Sequence, residues 1–155
     1  MREARERTFS VGPARFSVLP PMWEDDSQNK NSVGLRLEFG KFSAVFPGDA
    51  ESAQLDWWLT WWPMERVNVL KTSLHGSAAG ITSKWMDSLA PKVVVVSAGA
   101  GNHAGHPDKE VLIGWQSQGA RVYRTDAVGT ITVAAARDGG FSVTTSSGAM
   151  PWVSR

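Results

Sequence analysis

The stretch Val93-Val94-Val95-Val96 limits the possible folds of this chain more than any other feature. It is a continuous β-branched run with no polar alternation, which is typical of a central strand covered on both faces. A strand of that kind needs layers above and below it. The other segments of the chain must supply them.

Phe9 to Val11 and Arg15 to Leu19 read as two strands joined at Gly12-Pro13. Pro20 to Lys30 is polar, opens on Pro20-Pro21 and reads as a loop. Val33, Leu35, Leu37 and Phe39 alternate with Gly34, Arg36 and Glu38, the period of a half-buried strand. Gly40-Lys41 turns this strand into a second one, Phe42 to Phe46, which ends at Pro47-Gly48-Asp49. Ala50 to Trp61 reads as a helix stopped by Pro63, and Arg66 to Lys71 as a short strand. After a loop, Thr72 to Gly80, comes a short helix, Thr82 to Leu89, ended by Ala90-Pro91. Beyond the valine run and the loop Ser97 to Pro107, Asp108 to Gln118 is helical, with Gly119 suited to its C-terminal cap. Arg121 to Arg124, Thr130 to Ala136 and Gly140 to Thr145 close the chain with strands. The succession strand, helix, strand, helix, strand, helix, strand is a layered α/β pattern, and the hairpins make its sheet mixed.

At 155 residues the chain is expected to be a single domain over positions 1–155. Sixteen basic residues against fifteen acidic ones give a formal net charge of +1, which does not suggest a protein held to nucleic acid by bulk charge. The absence of cysteine excludes a disulfide scaffold and thiolate chemistry. The charged start, Met1 to Ser10, is not a secretory signal, and the apolar runs are too short for a transmembrane helix. A soluble, cytoplasmic protein with no membrane insertion is the resulting expectation.

The unusual chemistry sits in three loops, each after a strand. They are Phe46-Pro47-Gly48-Asp49-Ala50-Glu51, Leu70-Lys71-Thr72-Ser73-Leu74-His75-Gly76-Ser77, and Asn102-His103-Ala104-Gly105-His106-Pro107. A helix and Gly119-Ala120-Arg121-Val122-Tyr123-Arg124-Thr125-Asp126 follow the third. In this order and spacing, with Asn31-Ser32-Val33 upstream, they resemble the C-terminal half of the ComEC-type metallo-β-lactamase domain of DNA-uptake proteins. The resemblance runs from about position 9 to about position 133. It implies an α/β fold, a mixed β-sheet with flanking helices like half of an αββα sandwich. It also implies that Asp49 is a bridging carboxylate, that His75 lies in the second metal-ligand motif, and that His106 lies in the loop lining the substrate side. Two metals in such a site lower the pKa of a bound water and clamp a phosphoryl group. Zinc or manganese would be the cofactor if the site functions.

The sequence departs from the family pattern in three places. The His-x-His-x-Asp-His signature, which by the resemblance supplies most of both metal shells, is absent. The paired histidines of the second motif are Leu74-His75 here, and Asp108 follows Pro107 where the family often has a histidine. Three histidines, His75, His103 and His106, cannot rebuild a two-metal site in one chain. Read alone, Asp49 is a turn residue that could cap the next helix. His75 with Ser77 lacks the orienting acid of a nucleophile–base pair. His103 and His106 are spaced to chelate one ion, with only two ligands. The glycine-rich stretch Gly99 to Gly105 lacks the Lys-Ser/Thr ending of a P-loop.

Eight tryptophans are present, four of them at Trp57, Trp58, Trp61 and Trp62. On a helix these four cover one broad face, more indole than one short helix usually hides. They are the expected interface. A half-domain would leave a sheet face bare, so a homodimer or a complementary half-domain is the expected partner, with nucleic acid only as the resemblance implies. Three functions fit these features. The first is a non-catalytic, degenerate half-domain acting in assembly or binding. The second is a metal-dependent hydrolase of phosphodiesters or nucleic acid, with Asp49, His75 and His106 at its site, completed by a second chain. The third is a remnant without separate activity.

Overall fold

The computed structural model describes residues 7–22, 31–148 and 150–151. Most of the expected loop from Pro20 to Lys30, and the first six residues, lie outside that set. Nine strands are present among the described residues: β1 (Arg7–Val11), β2 (Ala14–Leu19), β3 (Gly34–Phe39), β4 (Phe42–Phe46), β5 (Val69–Lys71), β6 (Val93–Val96), β7 (Arg121–Arg124), β8 (Ile131–Ala135) and β9 (Phe141–Thr145). The helices are α1 (Ser52–Trp61), α2 (Ser83–Leu89), α3 (Lys109–Ser117) and the single turn α4 (Thr125–Val128).

β1 to β7 form one sheet whose spatial order is the chain order. The first four strands are an antiparallel meander turning at Gly12-Pro13 and Gly40-Lys41. β4 to β7 are parallel, and α1, α2 and α3 are the crossovers between them. This is the mixed sheet with flanking helices that the sequence led us to expect.

The valine run shows how the layers are built. Successive side chains of a strand point to opposite faces. Val94 and Val96 enter a core with Leu55 and Trp58 of α1, Trp85 and Leu89 of α2, and Val111, Leu112 and Trp115 of α3. All three helices therefore lie on one face. Val93 and Val95 belong to a second cluster on the other face, with Phe42, Ala44, Val69 and Tyr123. That face is partly covered by β8 and β9, which pair only with each other. The hairpin is pinned where Lys41 N–H donates to the Arg137 carbonyl at 2.8 Å and where the Phe141 ring meets Phe42 edge-on at 5.7 Å.

Some boundaries differ from the expected ones. The strand expected over Arg66–Lys71 shortens to Val69–Lys71, because Val67 N–H donates to Leu89 and Asn68 N–H to Ser43, off the parallel ladder. The Asn68 side chain holds this bend by accepting from Ser43 N–H at 2.9 Å. Thr72 to Gly80 is not plain loop: it holds two 3₁₀ turns, Ser73–Gly76 and Ala78–Gly80. Helix α1 starts at Ser52 with Glu51 at its N-cap, so Asp49 does not cap it.

The tryptophan helix also differs from expectation. Trp58 has no exposed surface and is not available to a partner. Its indole N–H donates to the Pro20 carbonyl at 2.7 Å, and its ring lies where a side chain at Gly34 would come within 2.9 Å. Trp57 and Trp62 pack edge-on at 5.1 Å and against the core. Trp61 alone of the four is left 65% exposed. The broad indole face is largely consumed by the chain's own core.

Candidate functional site

The carboxyl ends of β4, β5 and β6 carry the three loops singled out from the sequence. After β4, Gly48 has φ +63°, and Ala50 N–H returns to the Pro47 carbonyl at 3.3 Å, so Asp49 stands at the tip of a tight turn. The Gly48 carbonyl accepts from Leu74 N–H at 3.3 Å, and Ser73 Oγ donates to the Ala50 carbonyl. These bonds join the first loop to the second.

The second loop has an uncommon backbone. Leu74 (φ 44°), His75 (φ 53°) and Gly76 (φ 86°) are consecutive left-handed residues. For a non-glycine residue that conformation costs on the order of 1 kcal/mol, so two in a row persist only where surroundings hold them. Here Ser77 N–H closes the turn onto the Leu74 carbonyl at 2.9 Å, and Gly76 lies so close to Pro107 that an added side chain would come within 2.6 Å. The turn delivers the His75 ring to the Asp49 loop. His75 Nδ1 lies 2.7 Å from the Ser97 carbonyl, a contact that requires the proton on Nδ1. Nε2 then faces Asp49 Oδ1 at 3.5 Å. In the neutral ring, Nε2 and Oδ1 are two adjacent cation-binding atoms; in the protonated ring they form an ion pair. Both side chains are about half exposed, so the pair is open to solvent.

His106 is used differently. Its Nδ1 lies 3.3 Å from Asp108 Oδ1, while Asp108 Oδ2 accepts from Ala78 N–H at 2.7 Å. The Ala78 N–H holds the Asp108 carboxyl below its ordinary range, and His106 adds to the effect. Asn102 clamps the loop by donating to the His106 carbonyl at 2.6 Å and accepting from its N–H at 3.1 Å. The third loop is thereby fastened to the second, and Asp108 N–H adds a bond to the Gly76 carbonyl at 3.0 Å. His103 is exposed in the same loop.

Asp49, His75 and His106 were expected to form one donor set, and they do not. Asp49 and His75 meet, whereas His106 is turned to Asp108. Among the described residues no three His, Asp or Glu side chains gather into a group that could hold a metal ion. A two-atom edge does not make a closed shell or an open catalytic one, each of which takes at least three protein ligands. The residues present therefore do not fit a metal centre built by this chain alone. The Ser77 hydroxyl accepts from Ala79 N–H at the start of the next turn, the role of a helix cap.

Other positions gained a role that the sequence reading had missed. Thr125 donates to the Ala98 carbonyl at 2.8 Å and accepts from Ala98 N–H at 2.9 Å, fixing the start of the third loop to the end of β7. Arg124 and Asp126 form a two-bond ion pair at 3.1 and 2.5 Å. The Arg-Thr-Asp segment is thus structural. Lys71 closes β5, and its Nζ reaches toward the Gly48 carbonyl at 3.5 Å. Burial lowers its pKa, and the Asp49 charge partly offsets this. Lys71 also lines a groove of about 440 Å³ on the sheet face away from the helices, with Phe16, Leu37, Phe46, Val69 and Val95 among its walls. Ile131, Val133 and Ala135 of β8 form its remaining wall, so the groove lies between the sheet and the hairpin.

The architecture is the metallo-β-lactamase type. The crystal structure of CmlA, a diiron beta-hydroxylase from Streptomyces venezuelae, superposes with a TM-score of 0.52 at 16% identity, over 76% of this chain and 31% of that one. In sequence the chain is similar to ComE operon protein 3 of Bacillus subtilis (strain 168), 36% identical over 128 residues. That match spans 82% of this chain and 16% of the relative. No protein-family model matches. Among the described residues no helix is long and apolar enough to cross a membrane.

Proposed function

We propose that this chain is a non-catalytic, degenerate half of a metallo-β-lactamase-type unit of the competence, DNA-uptake kind, and that it acts by assembly. The observation carrying this reading is the apolar groove beside a two-residue remnant of a donor set. The helix side of the sheet is closed by three helices, whereas the opposite side holds a groove between the sheet and β8, with Phe46 41% exposed in its wall. Contiguous exposed apolar surface of this kind marks a face that meets another protein layer. The partner is a second copy of the chain or a complementary half-domain.

The Asp49–His75 edge supports a second reading, a metal-dependent phosphodiesterase or nuclease whose remaining ligands come from another chain. The assembly reading is tested by elemental analysis on a size-exclusion peak whose mass is fixed by light scattering. The assembly reading expects zinc and manganese far below one ion per chain. One or two tightly held ions per chain, the count of a working hydrolase site, would overturn it in favour of the hydrolase.

A further inference from the structure

The two edges of the seven-stranded sheet differ. β7 carries Arg121 and Arg124 at its ends, and the turn α4 follows it directly. Charges on an outer strand keep other strands away. β1 has no such protection from Thr8 to Val11. That segment holds no charge and no proline, and its register with β2 runs from Arg7↔Val18 to Val11↔Ala14 without a bulge. Among the described residues no strand pairs with its outer side. Two apolar side chains stand at this edge, Phe9 48% exposed and Val11 64% exposed. The β8–β9 hairpin also has open edges, but its exposed strand positions are Thr132, Ala134, Ser142 and Thr144. Phe9 is also the end of an apolar row, which the register carries through Phe16, Leu37, Ala44 and Val69 to Val93. Its ring lies flat on Phe16, with centroids 5.0 Å apart and 7° between the planes.

The turn at Gly12-Pro13 decides which backbone groups point outward. In a two-residue hairpin the closing pair, here Val11 and Ala14, exchanges hydrogen bonds, and bonded and non-bonded pairs then alternate along the ladder. Arg7, Phe9 and Val11 therefore turn their N–H and C=O groups to β2, and Thr8 and Ser10 turn theirs outward. An antiparallel pairing of two copies about a two-fold axis beside Phe9 sets Thr8 of each copy opposite Ser10 of the other. Each such pair exchanges both of its bonds, so every outward group finds a partner. Phe9 then meets Phe9 of the partner subunit in the closer, non-hydrogen-bonded kind of pair, where aromatic contact adds to the ladder. No like charges face each other, because Arg7 falls opposite Val11. We propose that the outer side of β1 is an interface between two copies of this chain, joined edge to edge about Phe9 into one continuous sheet. The proposal rests on the assembly reading above and gives it a second copy as partner, at the strand edge and not in the groove.

The test follows the molar mass of the full chain by light scattering and sedimentation equilibrium. A short edge makes a weak contact, so the wild-type mass should rise from one chain toward two over roughly 0.01–1 mM. Phe9→Lys sets two like charges opposite each other, as does Phe9→Glu, and each variant alone should keep the mass of a single chain. An equimolar mixture of the two should regain the doubled mass, which also shows that both variants fold. Ser10→Pro removes an outward N–H and spares the bonds to β2, and it should keep the chain single. A wild type that stays single up to about 1 mM would overturn the edge contact, while a complementary half-domain still serves the assembly reading. A doubled mass that persists in Phe9→Lys and in Ser10→Pro would move the contact off β1, so that the edge fails and assembly survives. Single variants whose mixture also stays single would rule out pairing about Phe9.

Discussion

Gly76 answers to two constraints at once. Its φ of 86° belongs to the region that favours glycine, and a side chain there would run into Pro107 at 2.6 Å. Gly119 has the same φ of 86° with nothing within 4 Å, so it isolates the first constraint. Gly119→Ala is therefore expected to cost about 1 kcal/mol, and Gly76→Ala about 2 kcal/mol or more, measured as shifts in denaturant midpoint at constant slope. Equal costs would mean that the Pro107 contact yields freely. Asp108 allows a test by pH. Its folded pKa is lowered, first by Ala78 N–H and then by His106. A carboxylate of this kind adds stability above its unfolded pKa, near ~3.9, which is lost as pH falls through the lower folded value. Unfolding titrations from neutral to acid pH should show this loss in the wild type, and Asp108→Asn should flatten that part of the curve. Identical acid limbs would remove Asp108 from the account. The resemblance pointed to Asp49, His75 and His106 as one site, of which the structure brings Asp49 and His75 together. It could not see that His106 pairs with Asp108, because that pairing depends on the third loop folding back onto Ala78 and Gly76.

At the scale of elements, α1 is the clearest case of pattern read correctly and purpose read otherwise. The helix and its stop near Pro63 were legible from composition and spacing. The fate of its indoles was not, because it depends on Gly34 of β3 leaving room for Trp58 and on the Pro20 carbonyl receiving its N–H. Trp58→Ala is expected to destabilise the fold by about 3–5 kcal/mol, as for other large buried aromatics. Trp61→Ala, at a side chain 65% exposed, should stay within about 0.5 kcal/mol. Thermal or urea unfolding of the two variants decides this, and a large loss for Trp61→Ala would restore the helix face as an interface. The strand expected over Arg66–Lys71 was too long for a related reason: apolar periodicity continues through Val67, but its backbone bonds leave the ladder for Leu89.

For the molecule as a whole, the sequence by itself determined the layers. A four-valine run with no polar alternation can be satisfied only between two apolar surfaces, and the order of strands and helices around it allows a mixed sheet with crossovers and little else. Local patterning carries that information because hydrophobic periodicity and turn residues act over a few positions. Only the tertiary structure decided how the two surfaces differ. Three helices close one face, and a hairpin from the chain's end closes part of the other, with the Lys71 groove between sheet and hairpin. Only the tertiary structure decided, too, that the donors form a pair at Asp49 and His75 instead of a trio with His106. Both outcomes rest on contacts between segments far apart in sequence, Lys41 with Arg137, Ala78 with Asp108, Ala98 with Thr125. No local propensity encodes such contacts; packing and the need to satisfy buried backbone groups select them once the sheet has formed.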